Sequence, residues 1–522
     1  MATETPPADA EPEVTAAVTD EQPDDPADAA LADALERVAH GAVVSIPSML
    51  LERGLALAFA AVLTNGFSAA AYGVFVLARR IQGFLLSLAL GCRSGLSRYL
   101  PTADPRTERD LVATFGSLLV VGVAALFGAA LYLLAPRITA LANEGARFET
   151  FLRLFAVGLP ATAWLWAATE LLRGLEEVGP LNLALRVGFP VGQLLVAVAG
   201  LVLADLATVA AGVWAVAGLV GTAVAVWLGR ERGLRPRLRG PDARRLHARY
   251  VRYTAPLFAG SIATTVQRLG FYPLIAVFLS SVAGGVFAVG VLVGMLVRLP
   301  LMGVNQLMPP VAAALHDDDE RVALKRLYHA TSRLVLVGVT ALAVPVVVYR
   351  ESVMALFGPT FVQYAPLLPA FILAQFFACA AGSVGILLMM TDHQRALLVV
   401  NTVITAVLVV TAIPLTVEFG LAGVVGSYLL MLSLNNGLEV AVLYRLEGLQ
   451  PLTRAHAKPL VAAVPLAAIA LAAQSLVGGT AGVLVGTGLG LAAYAVALLW
   501  LGFDPVERRL LGTLAARYRE AV

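Results

Sequence analysis

Fourteen stretches of this chain stay apolar for about twenty residues or more, with short polar connections between them. A bilayer core of about 30 Å takes roughly 20 residues of helix. The spacing therefore predicts spans at 41–65, 71–98, 111–134, 150–172, 181–204, 207–229, 253–279, 285–314, 329–349, 363–389, 396–416, 420–444, 458–477 and 480–502. Composition agrees. The chain is 59% hydrophobic and 14% charged, whereas soluble domains run about 45–50% apolar and about 25% charged. A soluble core of 522 residues has no place for this much apolar side chain. The expected fold class is all-α, a polytopic membrane protein of about 14 transmembrane helices.

Charge orders these helices. Residues 1–36 hold eleven acids and no Lys or Arg. With several prolines and no aromatic residue, 1–37 is expected to be a disordered acidic tail. Basic residues crowd into alternate connections. Nine arginines fall between Arg230 and Arg252, others lie at Arg98, Arg106, Arg109, Arg321, Arg326 and Arg395, and four follow Asp504. Lys and Arg stay on the cytoplasmic side. Both termini are therefore expected in the cytoplasm of a multi-pass cell-membrane protein. The chain has 35 arginines and only two lysines, Lys325 and Lys458, a bias that fits a GC-rich genome, haloarchaeal or bacterial. No basic n-region precedes the first apolar run, which is expected to be a membrane helix and not a signal peptide. Cys92 and Cys379 both lie in apolar segments and have no disulfide or metal spacing.

The chain also repeats itself. Ser45-Ile-Pro-Ser-Met-Leu-Leu-Glu-Arg-Gly54 returns 216 positions later as Ser261-Ile-Ala-Thr-Thr-Val-Gln-Arg-Leu-Gly270. Gly73-Val-Phe75 returns as Gly285-Val-Phe287 and Glu108-Arg109 as Glu320-Arg321, both 212 apart, and Leu171-Leu172 as Leu387-Leu388. Six helices per copy is an even number. The copies therefore share one topology, with an axis along the membrane normal and a site at mid-depth between them. The expected organisation is a first lobe at 38–229, a basic linker at 230–252, a second lobe at 253–446, two added helices at 458–503 and a tail at 504–522.

Charges inside the spans are the candidates for function. Arg53, Arg79, Arg80, Arg268 and Arg298 fall within the first two helices of each copy. Placing each at mid-bilayer costs at least about 2.5–3.5 kcal/mol on insertion scales, which a lipid-facing side chain does not recover. They are expected to face a shared cavity. The planar fork of arginine suits a phosphate or diphosphate headgroup; structural ion pairing with Glu52 or Glu439 is the other reading. Ser45, Ser48 and Glu52 share one helix face, as do Ser261, Thr264 and Arg268. For these hydroxyls, binding neighbouring helices together is the expected role. Glu52 aligns with Arg268, so the two lobes need not present the same charge. Glu52 and Glu439 are the carboxylates expected to couple transport to an ion, Glu439 with Asn435 and Asn436 one turn away. Glu170 is a further candidate; it and Glu439 lie near helix ends, where capping or snorkelling is an equal expectation.

Other patterns exclude functions. His316-Asp-Asp-Asp-Glu-Arg321 sits in a short connection before a helix and is read as a solvated, capped turn. There is no Walker sequence, no histidine spacing suited to a metal, and no connection large enough for a catalytic domain. No enzyme activity, cofactor, metal or nucleic acid is expected.

Three further segments carry a resemblance. They are Ala71-Tyr-Gly-Val-Phe-Val-Leu-Ala78 with Gly91…Leu96-Ser-Arg-Tyr-Leu-Pro101, then Gln306-Leu-Met-Pro-Pro310 with its acidic turn, and Leu356-Phe-Gly-Pro-Thr-Phe361. In this order along a two-lobe chain they resemble the polysaccharide and oligosaccharide flippases of the multidrug/oligosaccharidyl-lipid/polysaccharide exporter superfamily. The resemblance covers about residues 38–505. It implies transfer of a lipid-linked glycan, on a polyprenyl or dolichyl phosphate or diphosphate, from the cytoplasmic to the outer leaflet by alternating access. It also implies cavity arginines on the early helices of each lobe and a lipid-tail groove at the last two helices. The implied partners are the lipid-linked glycan, membrane lipids and glycosyltransferases of the same pathway, around a monomer. A drug or metabolite exporter of the same superfamily is the nearest alternative, and a membrane glycan polymerase or ligase a more distant one.

Overall fold

The computed structural model describes residues 47–103, 106–240, 242–306 and 308–502. The acidic tail, the C-terminal tail, and Ser45 and Ile46 of the repeated motif lie outside them. The described residues are helical, with no strand among them. In chain order they form α1 (Pro47–Gly66), α2 (Ala69–Tyr99), α3 (Arg106–Leu141), α4 (Ala146–Gly174), α5 (Val178–Val202) and α6 (Leu206–Glu231). Next come α7 (Ala243–Leu269, continued as Phe271–Phe278) and α8 (Ser281–Val297, continued as Leu299–Val304). Then follow α9 (Arg321–Val348) and α10 (Ala365–Met390). The 54-residue helix Gln394–Glu447 breaks at Gly420 (φ 58°, ψ −133°) into two limbs, α11 (394–419) and α12 (421–447). The last two are α13 (Arg454–Leu476) and α14 (Gly479–Leu501).

Eleven helices among the described residues are long and apolar enough to cross a membrane, with the broken 54-residue helix counted once. Two segments fall outside that count for identifiable reasons. α7 carries Arg244, Arg245, Arg249, Arg252 and Arg268. The first part of α8 has 17 residues, about 25 Å of helix, and its continuation supplies the remaining length. Leu126, Leu133 and Leu484 stand exposed on the outer faces, as lipid-facing side chains do in a polytopic protein.

The internal repeat reaches into the backbone. Ser68 caps α2 by accepting from the Ala71 N–H (3.2 Å). Its counterpart 212 positions on, Ser280, caps α8 by accepting from the Ala283 N–H (3.4 Å). The turns after α4 and α10 each use a left-handed residue, Glu176 and Asp392; those after α5 and α11 use Ala204 and Gly420. Both pairs are 216 apart. Within the first six helices α4 packs on α2, α3 and α6, and within the second six α10 packs on α8, α9 and the α11–α12 pair. α2 joins the two groups by running along α7 and α8. α13 and α14 pack on each other and on α9, where the Tyr349 hydroxyl donates to the Ala470 carbonyl (2.8 Å).

Two expectations are corrected. The linker does not extend over 230–252: α6 runs to Glu231 and α7 starts at Ala243, because arginine is a good helix former. The stretch between is not a free tether; the Arg235 and Arg237 N–H groups donate to Asp110 Oδ1 (3.0 Å) and Thr114 Oγ1 (2.8 Å) on α3. The acidic turn before α9 does not cap it with a side chain. Asp319 adopts the left-handed region (φ 57°) and pairs with Arg321 (3.1 Å).

Candidate transport chamber

A chamber of about 710 Å³ lies between the two groups of six helices. α2 forms its longest wall. Gly83, Ser87, Gly91 and Ser94 recur at helical spacing on the face turned to it and leave space beneath the larger side chains. Four arginines line the chamber, Arg79, Arg80 and Arg93 from α2 and Arg268 from α7, and the lining contains no carboxylate.

Each of the three α2 guanidinium groups in the lining lies over a ring. Arg79 lies over Phe59 of α1 (5.0 Å) and donates to Gln193 Oε1 of α5 (3.1 Å). Arg80 lies over Tyr272 (5.2 Å) and Arg93 over Trp166 of α4 (5.4 Å). A cation–π contact of this kind gives about 0.5–2 kcal/mol and does not consume the N–H donors of the fork. Arg93 alone has an acid close by: its Nε is 3.5 Å from Glu170, which also pairs with Arg173 at 3.2 Å. Glu170 is buried, so it neither caps nor snorkels; it stands behind the chamber and braces Arg93. Arg268 feels the charges of Arg298, Arg80 and Arg53. Like charges gathered in one chamber favour an anionic occupant.

The other sequence candidates are dispersed. Glu52 and Arg53 are half-buried on α1, one turn from the lining residue Ala56. Ser48 receives a hydrogen bond from Arg186, in a π-helical turn of α5, Leu183–Gly188. Arg298 sits where α8 breaks and is not among the lining residues; its charge acts on Arg268, Glu439 and Tyr428. Glu439 is buried and accepts from Asn435 Nδ2 (2.8 Å), whereas Asn436 turns back to the Leu432 carbonyl (2.8 Å). Ser261 and Thr264 do face the chamber. Each bonds a carbonyl of its own helix, so neither joins two helices. That role falls to Thr265, whose hydroxyl meets Ser87 of α2 at 2.9 Å.

Sequence reasoning passed over Arg93, Gln193 and Arg186. A signal existed for each. Arg93 is fourteen residues from Arg79, close to four helical turns and so on the same face, and Gln193 and Arg186 are polar side chains in an otherwise apolar span.

The chain has the same architecture as several solved transporters. It matches the inward closed conformation of the lipid II flippase MurJ with a TM-score of 0.67 at 11% identity, over 86% of this chain and 96% of that one. It matches an inward-facing multidrug resistance MATE transporter of the MOP superfamily with a TM-score of 0.57 at 16% identity, over 79% and 94%. A third match, TM-score 0.52 at 14% identity over 79% and 94%, is a MOP superfamily transporter from Pyrococcus furiosus whose reversed pocket polarity is described as suggesting a different function. The chain shares the fold of these transporters. At these identities the likeness establishes fold and leaves cargo open. Comparison with protein-family models and with curated protein sequences finds no match.

Proposed function

We propose that this protein flips a lipid-linked oligosaccharide or polysaccharide unit, carried on a polyprenyl or dolichyl phosphate or diphosphate, from the cytoplasmic to the outer leaflet. The observation that carries the proposal is the polarity of the chamber, four arginines with no carboxylate in the lining. An organic cation would meet like charge there. A phosphate would meet planar donors. Likeness to a lipid flippase supports the lipid-linked class, and likeness to multidrug transporters is a likeness of fold.

On this reading the arginine-rich end of the bundle faces the cytoplasm, and the two six-helix lobes alternate about the chamber. Arg79, Arg80, Arg93 and Arg268 hold the headgroup. Arg53 and Arg298 add field from behind the walls. Of the carboxylates expected to couple an ion, Glu439 has the fitting surroundings: burial, one amide donor and a nearby arginine. Glycosyltransferases of the same pathway would supply the cargo.

Deleting the gene is expected to raise the pool of lipid-linked glycan on the cytoplasmic side and to lower surface glycan, measured by lipid extraction and surface labelling. Unchanged pools with normal surface glycan would reject the assignment.

A further inference from the structure

Away from the chamber, a cleft of about 630 Å³ opens between α3, α4 and α6 at the arginine-rich end. Leu118, Val121, Trp164 and Leu228 make its walls apolar. The interlobe connection crosses its mouth from Leu234 to Leu238. Here the connection is fastened, since Asp110 and Thr114, one turn apart on α3, accept from the N–H groups of Arg235 and Arg237. Asp110 is occupied by that backbone bond, and Glu177 pairs with Arg232. The exposed side chains of Arg235 and Arg237 are thereby held at the rim of an apolar pit.

We infer that this cleft binds an anionic phospholipid of the leaflet at the arginine-rich end, with an acyl chain between α3 and α6 and the phosphate at Arg235 and Arg237. Charge complementarity selects this occupant. An uncharged chain would satisfy the walls and leave the rim unused, and a free anion would satisfy the rim and leave the pit unfilled. Arginine matches a phosphate with paired donors, and each basic residue at an anionic membrane surface strengthens attachment about fivefold. The connection is also the covalent link between the two groups of six helices. A lipid seated beneath it adds to the bonds that keep it on α3, so the connection moves with the first six helices, and bending falls at Asp242, which is left-handed (φ 58°).

The test uses the full-length protein in phosphatidylcholine vesicles doped with a diazirine-bearing phosphatidylglycerol or a diazirine-bearing phosphatidylcholine. Adducts on 113–121 of α3 are mapped by mass spectrometry. At equal doping, phosphatidylglycerol is expected to label this segment at least about fivefold more than phosphatidylcholine. R235Q/R237Q should bring that ratio to about one without changing adducts on α14. A225F, which fills the pit from α6, should lower labelling by both lipids at this segment. Equal labelling by the two headgroups in the unmodified protein would overturn the inference and leave an ordinary lipid-facing crevice. A phosphatidylglycerol preference that survives R235Q/R237Q would overturn it too.

Discussion

Arg268→Ala is expected to lower transport about ten- to a hundredfold while the protein still inserts and folds. Arg268 is the arginine that the second six helices contribute to the chamber lining, opposite three from α2. Its loss removes the clamp from one side. A hydrogen bond to a charged group is worth about 1.5–3 kcal/mol, and each 1.4 kcal/mol is a factor of ten. Little structural cost is expected, because Arg268 is an exposed side chain bordering open volume. Arg268→Lys should retain part of the rate, since it keeps the charge and loses the fork. Arg298→Ala should cost transport less, because Arg298 stands outside the lining. Equal losses for Arg268→Ala and Arg298→Ala would show that the chamber geometry does not select the cargo-holding residues.

The second large effect is expected where α2 and α8 cross near their N-terminal ends. α2 and α8 meet there at Gly73 and Gly285, equivalent positions of the repeat. A Cβ on Gly73 would lie 2.0 Å from the Ser281 carbonyl oxygen, and one on Gly285 would lie 3.1 Å from the Tyr72 ring. The Ser281 oxygen is backbone and cannot swing aside. Around this contact Asn65 Nδ2 donates to the Leu356 carbonyl (2.8 Å), and the Ser281 N–H donates to Glu144 Oε1 (3.1 Å). Gly73→Leu should therefore keep the two helices apart at this end. Overpacking at its upper end, about 3 kcal/mol, moves a two-state equilibrium about a hundredfold. Crosslinking of an Asn65→Cys, Leu356→Cys pair is expected to fall at least tenfold in the Gly73→Leu background, and transport with it. Gly122→Leu, where an added Cβ meets nothing within 4 Å, should leave both unchanged. Full crosslinking in Gly73→Leu would mean that this contact does not set the approach of the two helices.

Much of the fold was legible because apolar length and basic connections act locally. Ser68 and Ser280 cap the starts of α2 and α8, a signal the apolar spans beginning at 71 and 285 did not use. Glu176 and Asp392 do not announce their turns: a left-handed acid looks like any other polar residue until the helices on either side fix the angle. The chamber was most legible along α2. Arg79 and Arg80 were placed by their depth, and Arg93 is recoverable by counting turns along α2. Arg298 stands where α8 breaks, outside the chamber lining, and a break of this kind is not visible from depth alone. For Glu52 and Arg53, mid-span position gave depth and not direction. Glu170 appeared to be a terminal acid because its partner Arg93 comes from another helix 77 positions earlier.

The most direct test of an anionic lipid-linked cargo is flipping in proteoliposomes. Purified protein is reconstituted with a polyprenyl diphosphate oligosaccharide bearing a fluorophore on the sugar, and the label reachable by external dithionite is followed. Vesicles with the protein should expose nearly all of the label over time, at a rate tenfold or more above protein-free vesicles and above the Arg268→Ala protein. A label that stays half-protected, together with transport of an organic cation by the same vesicles, would contradict the account.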